Sequence, residues 1–171
     1  MTLYSVALFV HIVGSLLLFT AFTAEGIGLF HLRTVTTREQ ARQWEGVVAL
    51  ARIFGPASVV TILVPGLYMM VTTWGFVSWL AVALFAWFAV AVMGAVNGIR
   101  LSLVMRRPET DDTVIGRLRA REFVVSWMTR LWIALGIVFL MTNKPDLAGA
   151  FVCIAAAVVV GGSTGLVASR Q

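Results

Sequence analysis

The chain has 171 residues, 60% of them apolar and 12% charged, with 13 Lys and Arg against 8 Asp and Glu and a net charge of +5. A water-soluble domain carries about 25% charged residues, so there is too little charge here to coat one, and several apolar runs exceed the roughly 20 residues that cross a bilayer. A soluble enzyme, a nucleic-acid module and a disulfide-built secreted domain are therefore excluded. The fold class this implies is an all-α integral membrane protein, a single domain of five transmembrane helices. One cysteine, Cys153, allows no intrachain disulfide. With only His11 and His31 beside it, the usual multi-ligand zinc or copper site lacks its donors, so no metal ligand is assigned.

Five spans are expected at about 3–32, 46–72, 78–105, 122–142 and 147–168. The first is interrupted only by His11 and Glu25. Nothing basic precedes it and it is too long for the apolar region of a cleaved signal peptide, so it reads as a retained helix. The second contains Pro56 and the pair Pro65–Gly66, each proline removing a backbone donor and bending the helix. Thr37 followed by Gln40 has the form of a capping box that starts a helix before this span. Trp74-Gly75-Phe76 reads as a short turn, Arg106-Arg107-Pro108-Glu109 ends the third span, and Asn143-Lys144-Pro145-Asp146 makes a tight turn into the fifth. The stretch from Glu109 to Glu122 mixes charges of both signs.

Basic residues set the orientation. Arg33, Arg38, Arg42 and Arg52 lie in or beside the first connection, and Arg106, Arg107, Arg117, Arg119 and Arg121 in or beside the second. Arg170 follows the last span, and only Lys144 lies on the other side. The positive-inside rule then puts the N-terminus outside and the C-terminus in the cytoplasm. Trp74 and Trp79 fall at the outer boundary, where an aromatic belt is expected.

Two features bear on packing and function. Gly149, Cys153, Ala157, Gly161, Gly165 and Ser169 form a row of small residues at every fourth position, which lets another helix approach closely. That helix belongs either to the same chain or to a second copy in a homodimer. A shorter row, Gly94, Gly98 and Ser102, lies on the third span. Ionisable residues within spans are costly and are usually compensated. Glu25, Arg52, Asn97, Arg100 and Arg130 all fall toward the inner layer, on four helices. Either Glu25 pairs with Arg130 or Arg100 while the rest snorkel, or arginine in excess of carboxylate lines a cytoplasm-facing site for a lipid headgroup or an anionic solute.

His11, Ser15, Leu18, Phe22, Glu25 and Leu29 fall within about 40° of one line on the first span, with His11 and Glu25 about 21 Å apart. His11 is a hydrogen-bonded packing residue or an axial haem ligand, with Met69, Met70 or Met93 as a conceivable second position. The motifs Leu8-Phe9-Val10-His11-Ile12-Val13-Gly14, Pro65-Gly66-Leu67-Tyr68 and Trp79-Leu80 resemble an uncharacterised bacterial family of integral membrane proteins grouped as domain of unknown function 2269. That group is in turn distantly similar to CopD-type copper-export proteins and HemJ-type protoporphyrinogen oxidases, which share a His-x-x-Gly pattern in the first span. The resemblance implies a multi-pass protein of the bacterial inner membrane whose His11 meets haem or a metal. The chain departs from the HemJ pattern in having no lysine and no second histidine within a span.

Three functions follow as expectations. The first is a carrier, lipid-binding protein or accessory subunit built on the Glu/Arg cluster, with the bilayer or a membrane subunit as its partner. The second is a haem-associated redox protein using His11. The third is a structural dimer formed through the small-residue row. No serine–histidine–acid set or pair of carboxylates marks a hydrolase, so no catalytic residue is assigned and an enzyme is not expected.

Overall fold

A computed structural model describes residues 1–106 and 110–170, with side chains for all of these except Glu45 and Asp111. The described residues form six α-helices: α1 (Leu3–Leu32), α2 (Arg38–Met69), α3 (Ser78–Arg106), α4 (Asp111–Leu118), α5 (Arg121–Asn143) and α6 (Leu147–Ala168). A π-helical turn, Met70–Trp74, extends α2, and no strand occurs among the described residues. Among the described residues, five helices are long and apolar enough to cross a membrane.

The helix ends follow from local chemistry. At the start of α1 the Thr2 hydroxyl accepts from the Ser5 amide at 3.2 Å, filling one of the orphan donors of a first turn. The second helix begins earlier than its apolar run, because the Thr37 hydroxyl caps the Gln40 amide. The capping box is only half formed, since Gln40 Oε1 accepts from the Thr36 amide instead of the capping residue's own. Past Met69 the helix widens into the π-turn and stops at Gly75, whose φ of 67° suits a residue without a side chain. The fifth helix stops at Lys144, in the left-handed region with φ 48°, and Pro145 prevents continuation. Asp146 then caps α6 by accepting from the Gly149 amide at 2.9 Å. The third helix runs to Arg106, and the expected stop at Arg107-Pro108-Glu109 lies outside the described residues. Part of the mixed-charge connection is helical. In α4, Val114, Ile115 and Leu118 are buried while Asp112 and Arg117 remain exposed.

Two antiparallel hairpins, α1–α2 and α5–α6, dominate the packing, and α3 lies against α5 and α6. The α1–α2 seam is tight because glycine permits it. A Cβ on Gly14 would sit 2.8 Å from the Thr61 carbonyl carbon, and one on Gly28 would sit 2.5 Å from Val48 Cγ2. In the α5–α6 seam, a Cβ on Gly161 would lie 2.6 Å from Thr129 Cα and one on Gly165 2.7 Å from Val125 Cα. Ala157 and Cys153 face Gly136 of α5, with the Cys153 thiol 3.8 Å from the Gly136 carbonyl. From Cys153 to Gly165 the small-residue row of α6 therefore packs against α5 of the same chain. Gly149 leaves this seam and packs on Pro145 and Asp146, while Ala150 is fully buried. The reason is geometric: a four-residue repeat drifts about 40° per step around a helix of 3.6 residues per turn.

The main core gathers Phe22, Leu29 and Leu32 of α1 with Val90 and Leu101 of α3, Val114 and Leu118 of α4, and Phe123 and Trp127 of α5. A smaller cluster of Trp79, Val82, Ala83, Leu140 and Ala150 lies toward the opposite end.

Candidate functional site

Arginines organise the end of the bundle where α1, α3 and α6 finish. Arg33 donates to the carbonyls of Ala168 and Ser169 at 3.0 and 2.6 Å, holding the end of α1 to the end of α6. Arg38 donates to the Met105 carbonyl at 3.0 Å, and Arg119 to the Val35 carbonyl at 2.8 Å. The last carbonyls of a helix have no partner within it and carry partial negative charge. Guanidiniums supplied by neighbouring segments satisfy them at α3 and α6. Residues that read as topogenic charge thus also fasten one segment to another.

One helical layer deeper, Arg130 Nη2 of α5 donates to Glu25 Oε1 of α1 at 2.5 Å. The two side chains are 5% and 16% exposed, so each charge is balanced by its partner and by little else. The Arg130 guanidinium lies 5.6 Å from the centre of the Phe22 ring. Its Nη1 would be 3.0 Å from a Cβ on Gly94, so this glycine opens the place for it on α3. Nearby, Trp127 donates its indole N–H to the Phe22 carbonyl at 2.9 Å, its ring filling the notch at Gly26. An ion pair, an indole hydrogen bond and a glycine notch together join the two hairpins.

The five residues expected in one inner layer therefore separate. Glu25 and Arg130 meet. Asn97 is buried one turn along α3 from Gly94. Arg52 is exposed on α2. Arg100 does not reach Glu25; its Nη1 donates to Glu122 Oε2 at 3.1 Å, with both side chains more than half exposed. The carboxylate that balances Arg100 is Glu122, in the first turn of α5 at the expected start of the fourth span. Its position beside Arg121 at the head of a span was the available signal.

Around this exposed pair lies an open cleft of about 350 Å³, lined by Arg100, Leu103 and Val104 of α3, Arg117 of α4, and Ala120, Glu122 and Phe123 around the start of α5. Two guanidiniums and one carboxylate stand at its polar side, and the remaining lining is apolar.

At the other end of α1, His11 Nδ1 is 2.9 Å from the Ile62 carbonyl of α2, with its ring against Gly66. A carbonyl can only accept, so Nδ1 donates this bond and Nε2 takes no part in it. The line from His11 to Glu25 does face inward, but its partner changes along the helix from α2 at His11 to α5 at Phe22 and Glu25. Ser15 bonds to the His11 carbonyl of its own helix and bridges nothing between them. His31 stacks on Trp44 at 3.6 Å between ring centres and bonds the Ile27 carbonyl. Among the described residues, no three His, Cys, Asp or Glu side chains come together as a metal site. Comparison with protein-family models, with curated proteins and with solved structures gives no match.

Proposed function

We propose that this protein is an integral membrane bundle, N-terminus outside and arginine-rich end in the cytoplasm, that binds an anionic lipid headgroup in the cleft between α3, α4 and α5. The observation that carries the reading is the lining of that cleft: Arg100 and Arg117 beside Leu103, Val104 and Phe123. Guanidiniums take phosphate oxygens in forked hydrogen bonds, and the apolar wall suits the first carbons of an acyl chain. Glu122 stands beside Arg100 and holds it until a phosphate displaces it. The buried Glu25–Arg130 pair is already neutral as a unit, so in this reading it serves assembly and not ligand capture.

Native mass spectrometry of the detergent-purified chain with phosphatidylglycerol, phosphatidylcholine and inorganic phosphate tests this. Selective retention of phosphatidylglycerol is expected, with Arg100→Gln and Arg117→Gln each weakening it about fivefold, from roughly 1 kcal/mol per basic residue near anionic lipid. Equal retention of the two lipids overturns the proposal. Binding of inorganic phosphate at comparable strength would identify a solute site instead.

One observation favours a second reading. Donation from His11 Nδ1 to a backbone carbonyl is how a ligating imidazole is usually oriented, leaving Nε2 to bind iron. His11 would then be an axial haem ligand, and haem would supply one-electron chemistry. A Soret band on adding haemin that disappears in His11→Ala supports it; a colourless protein removes it.

A further inference from the structure

We propose that a water molecule is bound inside the bundle between Asn97 of α3 and Arg130 of α5, accepting a hydrogen bond from each. Asn97 is 6% exposed and Arg130 4% exposed, so both are more than nine-tenths buried. Asn97 Nδ2 and Arg130 Nε are buried donors without a hydrogen-bond acceptor among the described residues. In an apolar layer such donors are expensive to leave unpaired. Helix geometry places them on one side of α3: a Cβ on Gly94 would lie 3.0 Å from Arg130 Nη1, and Asn97 follows Gly94 by three residues, a spacing of about 5–6 Å between adjacent side-chain origins. A single small acceptor can serve both.

Charge and space identify the guest. Glu25 already balances Arg130, so an added anion would leave a net negative charge in the layer and an added cation would face the guanidinium. The guest is therefore neutral. A guest that accepts from two donors within one helical turn of α3 is also small. Water meets both conditions and can accept two bonds while donating others. In this position it brings α3 into the α1–α5 ion pair and makes a three-helix polar junction. The inference stands on these two donors and does not depend on lipid binding in the cleft.

Water-edited solid-state NMR on the nitrogen-15-labelled full chain in phosphatidylcholine vesicles tests it. Magnetisation from water is expected to reach both Arg130 Nε–H and Asn97 Nδ2–H, far faster than the buried backbone amides of Ala86 and Val90. Transfer to neither, or to only one, overturns the proposal. In Asn97→Leu the transfer to Arg130 Nε–H should fall severalfold, and unchanged transfer overturns the shared site. Should that variant fail to fold, the two signals of the unaltered chain still decide.

Discussion

At the arginine-rich end, three guanidiniums cap carbonyls of other segments, and Glu25–Arg130 and Trp127–Phe22 tie α1 to α5 just beneath. At the opposite end, α1 meets α2 through His11 and Gly14, and the Lys144 ammonium lies 3.9 Å from the centre of the Trp74 ring. The first helix shows the contrast within itself. Its second half buries Phe22, Leu29 and Leu32, whereas Leu3, Phe9, Ile12 and Leu16 of its first half are 50–67% exposed. In lipid, apolar side chains gain little by leaving the acyl chains, so association relies on close packing and on polar links. The end with more polar links is the end where the two hairpins join.

Arg130→Met tests that comparison most severely. It leaves the Glu25 carboxylate buried without its cation, a loss of about 3–5 kcal/mol for a buried pair. Reversible unfolding in mixed micelles should show it, and adding Glu25→Gln should restore much of it by removing the stranded charge. A loss as small as that of an exposed pair would show that the polar junction does not hold the hairpins. Gly14→Ala probes the other end. Its methyl would press on the Thr61 backbone, with an expected cost of about 1–3 kcal/mol from overpacking. Gly98→Ala meets nothing within 4 Å and should instead gain about 0.4–1 kcal/mol by restricting the unfolded chain. If the two alanines behave alike, close approach is not what holds α1 to α2. Lys144→Gln, removing the cation over Trp74, should cost only about 0.5–1 kcal/mol at this exposed site.

Much of the fold is legible in the sequence because helices long and apolar enough to cross a membrane stand out as long apolar runs, and the ends of α1 and α6 fall where those runs end. The start of α2 is less so, since its first turns are polar and depend on the Thr37 cap. Glu25 and Arg130 can be matched by depth alone, each lying less than ten residues from the arginine-rich end of its helix. Which guanidinium Glu25 takes depends on helix rotation, and rotation is set by notches such as Gly94 and Gly26 that appear only when two helices are brought together. The α1–α2 seam had a signal in the seven-residue spacing of Gly14, Ala21 and Gly28, overshadowed by the longer row on α6. The carbonyl partners of Arg33, Arg38 and Arg119 had none. A backbone acceptor looks the same at every residue.

Arg100 provides the finest test, because it separates binding from stability at the same end of the molecule as Arg130. Its bond to Glu122 joins two side chains that are 55% and 58% exposed, where water and ions screen the attraction and ordering two long side chains offsets part of it. Such a pair contributes about 0.2–1 kcal/mol. Arg100→Gln should therefore unfold almost as the unaltered chain does while retaining phosphatidylglycerol about fivefold more weakly. Glu122→Gln should be equally benign to the fold but strengthen lipid retention, since it releases the guanidinium and removes the competing carboxylate. Opposite effects on the lipid with matched unfolding would assign the cleft to ligand capture and the buried pair to assembly. Destabilisation by Arg100→Gln approaching that of Arg130→Met would merge the two into one structural network.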